Sequence, residues 1–374
     1  MTAINPPAHG GIPRRDFVLA GLGALLLPNV ALATAAGVQL VSPASASGQH
    51  CVARFGLDAA QTQRIALPMR GHDLLIDPRN ATEALVIARR PGTLAVKLDL
   101  PGGRLLRQWQ AGEDRHFFGH ACYSPDGRTL FVAENDVDTG QGLVTVRDAA
   151  DFHLLAEYRS HGIGPHEILL LADGVTLAVA NGGIQTLPET GRVKLNRGRI
   201  DSSLVYLDSR NGNLLGRYPV PSTQLSLRHL ALAPNGTVAA ALQFEGDRKQ
   251  PGVPLLMFHR GEPTLQFAEA PQAAWDRMQH YAASVAYDPA SACFAVSCPL
   301  GDVLACWTAE RQYLGHIDLP KVSGIAFGQG QGFASNESGE VHRLDLRRLS
   351  AQLHGKFPEL QWDNHLYLAP MMSQ

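Results

Sequence analysis

Charge of one sign is missing from this chain: 32 basic and 34 acidic side chains leave a formal net charge of −2. No basic footprint invites nucleic acid or an anionic membrane surface. Cysteine is scarce. The five present (Cys51, Cys122, Cys293, Cys298 and Cys306) form no CxxC pair and no zinc-ribbon spacing. An odd number leaves at least one unpaired unless it bonds between chains. Cys293 and Cys306 are spaced to face each other across a hairpin, and Cys51 follows no lipobox. Familiar catalytic motifs are also missing: there is no GxSxG, HExxH, Walker loop, GxGxxG turn into a helix, or haem-binding CxxCH. Ser160-His161 lacks a third member for a nucleophilic triad. Only 18% of residues are charged, whereas glycine (37) and proline (24) are plentiful. That composition belongs to many short strands joined by turns.

The N-terminal segment carries Arg14-Arg15-Asp16-Phe17-Val18 ahead of a Gly/Ala-containing apolar run, Leu19 to Leu27. Two arginines, a polar residue and an aromatic before a short, weakly hydrophobic run form a twin-arginine export leader. The run is too short for a membrane span. Ala31-Leu32-Ala33 supplies a small-residue cleavage site. Residues 1–35 are therefore expected to be a signal peptide, which places the rest in the periplasm with no transmembrane span after its removal. This route carries proteins that have already folded, often around a cofactor. Residues 36–374 are expected to form a single domain.

One phrase recurs along that domain: a polar lead-in, a strand, a turn and a second strand. It reads Gly71-His72 through Pro78, Gly119-His120 through Ala133, Pro165-His166-Glu167 through Ala180, and Arg228-His229 through Gly236. Weaker copies start near Ser284 and Gly324, and Asn364-His365 through Ala369 is the last. Most copies are followed by a second pair of strands, such as Leu143–Asp148 with Leu154–Tyr158. The starts lie 40 to 63 residues apart, slightly longer than a WD40- or YVTN-like blade repeat. Pro-Asp-Gly and Pro-Asn-Gly turns indicate antiparallel hairpins. Seven starts imply an all-β, seven-bladed β-propeller. The strand at His365 should join Val38–Val41, His50–Phe55 and Arg64–Leu67 in the seventh blade, closing the ring and removing its exposed edges.

Five of the seven starts carry histidine: His72, His120, His166, His229 and His365. Inner strands line a propeller's channel, so equivalent positions converge on one axis. Neutral imidazole ligates zinc, copper, iron and nickel, so a converging set reads as a metal site. The register is uneven, since His72 and His166 lie one residue further from their turns, and a bulge would absorb that. Glu167 directly follows His166 and joins the candidate ligands. Mixed histidine and carboxylate donors suit iron, copper or zinc better than calcium. Acidic loops at Glu134–Asp138, Asn181–Gly183 and Asn336–Glu337 are expected on the same rim. The starts at Ser284 and Gly324 supply no histidine and would leave one flank open. Trp109, Trp275, Trp307 and Trp362 are expected in the core between blades.

The chain resembles a bacterial family catalogued as domain of unknown function 1513. The resemblance rests on the leader, His116-Phe-Phe-Gly-His120, Ser160 through Glu167, Ser226-Leu-Arg-His229-Leu and Trp362-Asp-Asn-His365-Leu. It implies a periplasmic propeller in an iron-related setting, near imelysin-type proteins and haem-peroxidase-like proteins, and brings no established activity. Three functions are open. The first is binding of a transition metal, iron or copper, for uptake or handling, with a periplasmic protein of an iron-uptake system as partner. The second is a lactonase-like hydrolase in which a channel metal activates water, with His166 and Glu167 as first candidates. The third is an interaction scaffold using the insert 181–199, which carries Arg192, Lys194, Arg197 and Arg199.

Overall fold

The structure is a computed structural model that describes residues 38–56, 62–191 and 193–370. The expected leader (1–35) and Arg192 lie outside the described residues. Seven antiparallel sheets follow one another around a ring, each the blade of a β-propeller. Six have four strands in chain order. The first runs Gly71–Asp77, Asn80–Ala88, Leu94–Asp99 and Arg104–Gln110. The next five open with Arg115–Tyr123, Pro165–Leu170, Leu225–Leu232, Ser284–Asp288 and Val322–Gly328. These opening strands pack side by side around the axis.

Burial follows from that geometry. The middle strands, such as Ser203–Asp208 and Cys293–Cys298, are buried along their whole length, because neighbouring blades cover both faces. Their near-continuous apolar sequences (SLVYLD, CFAVSC) match this double burial. Outermost strands have one covered face at most, and Tyr313–Asp318 alternates between half-buried or buried positions (Tyr313, Gly315, Ile317) and exposed ones. Trp307 is fully buried and stacks on Trp275 at 5.4 Å, donating Nε1–H to the Glu269 carbonyl. Trp362 is buried with Phe55, while Trp109 is half-buried and stacks on Phe152.

The seventh blade joins the two ends of the described chain. Val38–Ala46, Gln49–Gly56 and Thr62–Ala66 supply three strands, as expected from the sequence. The inner strand comes in two pieces, Leu360–Trp362 and Tyr367–Pro370, both paired with Val38–Ala46. The ring is closed by backbone hydrogen bonds. All five cysteines are free; Cys306 stands opposite Ala295 and Cys293 opposite Thr308, so the two thiols are offset along the ladder. Among the described residues there is one short α-helix, Gln272–Arg277, and no helix long and apolar enough to cross a membrane.

Candidate metal centre

Each of the five repeat histidines sits where its inner strand breaks register. The ladder shifts between Gly71 and Asp73 around His72, and between Phe117 and Ala121 around His120. It shifts again between Pro165 and Glu167 around His166, and between Leu227 and Leu230 around His229. His365 lies in the gap between the two closing pieces. An unpaired bulge residue is re-aimed out of the strand's normal alternation. Here the five rings gather at the axis. The strand beginning at Val322 also bulges, at Ser323-Gly324, but carries no imidazole, and Ser284–Asp288 runs in regular register.

The rings form one buried cluster. Centroid separations include 4.7 Å for His120–His365, 4.8 Å for both His72–His120 and His72–His365, and 4.9 Å for His229–His365. His72, His120, His229 and His365 each offer a ring nitrogen, and these four atoms lie within 4.8 Å of one another. Ligands at about 2 Å from one ion are at most about 4 Å apart. The four nitrogens would therefore have to draw together to share one ion. His166 is outside this group of four, although its ring is 4.8 Å from that of His229 and 5.3 Å from that of His120.

Carboxylates orient three of these imidazoles through Nδ1. Asp363 Oδ1 lies 3.3 Å from His72 Nδ1, Asp73 Oδ2 3.5 Å from His120 Nδ1, and Glu167 Oε2 3.0 Å from His229 Nδ1. A carboxylate at Nδ1 fixes the tautomer that presents the Nε2 lone pair and raises its basicity, as in many metal sites. Nε2 of His120 and of His365 are buried with no hydrogen-bond partner among the described residues. The carboxylates are held in turn. Asp73 accepts from Tyr367 Oη–H, Leu74 N–H and Ala121 N–H, and Glu167 accepts from Leu230 N–H at 2.8 Å. Asp363 accepts from Arg89 and Arg70.

Burial governs the protonation of the cluster. Desolvation, joined by the other imidazoles, pushes His72, His166 and His229 well below the ordinary histidine range and His365 down to about 3. His120 goes the other way. Burial would lower it, but the Asp73 hydrogen bond and the charges of Glu167 and Asp73 outweigh that and raise it. Asp73 falls to about 2 in spite of burial because of His120 and His365. Burial raises Glu167, and Arg89 holds Asp363 well below the usual carboxylate range against its burial. Four of the five imidazoles are thus held in the neutral form that binds a cation, while at His120 a metal would have to compete with a more tightly held proton.

Two cavities adjoin the cluster, and their charges differ. A cavity of about 460 Å³ reaches His229 and His365 past Asp73, Glu167, Ser284 and Ile325. Its lining comes from the inner strands of all seven blades, Leu74 to Ile76, Ala121, Tyr123 and Tyr367 included, so it is an axial channel mouth and does not single out the flank without histidines that the repeat pattern led one to expect. The other is small and is bordered by Arg89, Arg90, Gln243 and Tyr281 together with His72, His166 and His229.

The five histidines named from the sequence thus gather on the axis, four of them with ring nitrogens within 4.8 Å of one another and His166 beside that group. Glu167 meets it as well, through His229 Nδ1. The acidic loops are engaged locally instead: fully buried Glu134 pairs with Arg147 and Thr145, Asp136 with Arg115, and Asn336 bonds its own turn. Sequence reasoning missed Asp73, Asp363, Tyr367 and the arginines. The carboxylates had a signal, since Asp73 follows His72 and Asp363 precedes His365 by two residues.

A seven-bladed propeller with a buried, carboxylate-buttressed histidine cluster on its axis is the class of protein these features define. The family model described as "protein of unknown function (DUF1513)" matches residues 65–369, and the chain belongs to that family. No curated protein sequence matches it. Among solved structures it is similar to Kuenenia stuttgartiensis hydrazine synthase, with 13% identity and a TM-score of 0.56. That match covers 83% of this chain and 90% of the other, and at such identity the likeness is one of fold.

Proposed function

We propose that the protein binds a transition metal, iron or copper, through His72, His120, His229 and His365, and handles that metal in the periplasm as part of iron or metal acquisition. The observation that carries the reading is the set of four buried imidazoles with ring nitrogens within 4.8 Å of one another. The carboxylates on three Nδ1 atoms support it, because they leave Nε2 for the ion. All-nitrogen donation suits copper, iron, nickel or zinc, and copper(II) heads the affinity order for such a site. The axial cavity that reaches His229 and His365 supports a site that exchanges its metal or takes a further ligand, unlike a closed structural zinc site. The twin-arginine motif at Arg14-Arg15 supports delivery of a folded, loaded protein to the periplasm, where an iron-uptake protein would be its partner.

Elemental analysis of protein purified from periplasm, with titration of the metal-free protein by iron(II) and copper(II), tests the reading. One ion per chain is expected, abolished by His120→Ala with His365→Ala while the circular dichroism spectrum is retained. Absence of binding at micromolar metal would refute it. Export is tested by fractionating cells that express Arg14→Lys/Arg15→Lys, which should retain the protein in the cytoplasm.

A further inference from the structure

We propose that the arginine side of the histidine cluster is a binding seat for a small oxyanion of carboxylate or carbonate size. The proposal deepens the metal reading, on which it rests for the anion's role as an added ligand. The seat itself is built from groups that need no metal.

The cavity bordered by Arg89, Arg90, His166 and Gln243 is small, about 20 Å³. That is room for little more than one water-sized group, so a single carboxylate or carbonate would seat only with its neighbours drawn back, and bulky anions are excluded. Within its wall, His166 is the one imidazole of the five outside the four-histidine group. It is only 6% exposed, and its Nδ1 has no hydrogen-bond partner among the described residues. A buried, unsatisfied ring nitrogen is costly unless something meets it. An oxyanion oxygen meets an Nδ1–H without competing for the four metal-facing nitrogens.

Charge points the same way. The guanidinium groups of Arg89 and Arg90 border this cavity; Arg90, with Arg228, acts on His166, and Arg89 acts on His72. Asp363 is held by Arg89 and Arg70. The carboxylates Asp73 and Glu167 border the opposite cavity instead. A negative ligand is therefore repelled from the wide cavity and drawn to the narrow one, and a cation is steered the opposite way. Guanidinium forks match the planar geometry of a carboxylate, so the seat selects for shape as well as charge.

Calorimetric titration of the metal-free full-length mature chain with formate and with bicarbonate, at low ionic strength, tests this. One saturable site is expected, weakened about tenfold or more by Arg90→Gln, the scale of a lost charge-assisted hydrogen bond. If Arg90→Gln does not fold, Arg90→Lys keeps the buried charge but not the fork, and His166→Leu removes the ring nitrogen. Both should weaken formate binding several-fold while thermal midpoints stay close to wild type. No formate or bicarbonate binding by the metal-free wild type, or equal binding by the folded variants, overturns the seat while leaving metal binding untouched. Formate binding with no metal binding would sustain the seat and overturn only the metal reading.

Discussion

Gly119 lies against the imidazole of His72, so closely that a Cβ at position 119 would meet His72 Cδ2 at 2.4 Å. Its φ of +108° is also one that a side chain resists. The residue before one histidine is thus shaped by the histidine of the preceding blade. Gly119→Ala should push His72 out of the cluster. Metal affinity is expected to fall at least about tenfold, with a propeller still recognisable by circular dichroism. Unchanged affinity in a metal titration would show that His72 is dispensable.

Glu167 touches the proposed ion only through His229. Glu167→Gln keeps the shape but loses the charge that makes His229 a better donor, and about 10- to 100-fold weaker metal binding is expected. Competition against a chelator of known affinity reads this. Equal affinity in the two proteins would mean that Glu167 plays no positioning part.

In the metal-free protein, stability should depend on pH in a defined direction. His72, His166, His229 and His365 have folded pKa values below the unfolded one, near 6.5. As pH falls below about 6.5, the unfolded chain takes up protons that the folded chain refuses, and stability drops. For His365 that loss continues down to about pH 3. Each such histidine contributes about 1.4 kcal/mol per pH unit within its window. His120 is raised, so it has the opposite sign: it stabilises below its unfolded value and loses that contribution as pH rises through the folded one. Asp73, lowered to about 2, stabilises above its unfolded value and loses that contribution as pH drops toward 2. The net expectation is a falling thermal midpoint from pH 7 to pH 5, with a shallower slope in His365→Gln. A flat midpoint over that range would contradict four buried histidines that resist protonation.

Stability away from the axis should be separable from the site. Trp307→Ala removes a fully buried ring stacked on Trp275 and is expected to cost about 3–5 kcal/mol. Denaturant unfolding measures the loss, and the folded fraction should still bind one metal ion. Loss of metal binding in the folded fraction would show that blade packing and the centre are coupled.

The histidines were legible because a propeller converts a repeated sequence position into a shared point in space. His72 and His365 are distant in sequence and adjacent on the axis for that reason alone. The uneven spacing of His72 and His166 was legible too, and bulges of different length absorb it. The contacts between blades were not legible. Asp73 with His120, Glu167 with His229 and Asp363 with His72 each join different blades, and such pairings depend on how far one blade is rotated against the next. Strand alternation does not encode that rotation. The split of the closing strand was hidden for a related reason: the repeat pattern placed that strand at Asn364–Ala369, whereas Leu360–Trp362 and Tyr367–Pro370 pair with the ladder and Asp363–Leu366 leaves it. The loops at Glu134 and Asn336 looked like site residues because they share the rim's sequence pattern, but local partners satisfy them.

The split closing strand has a consequence for how the molecule holds itself shut. His365 rides on the segment that joins the two ends of the ring, and its imidazole meets those of the first, second and fourth blades. A metal ion there would act as a clasp, fastening the closing segment across the axis as well as along the sheet edge. Such an ion binds only the closed ring, so its concentration sets how firmly the ring is shut. Stripped of metal, the propeller should first loosen along the seam between Val38–Ala46 and its two C-terminal partners, and hydrogen exchange would register the opening there before any other blade.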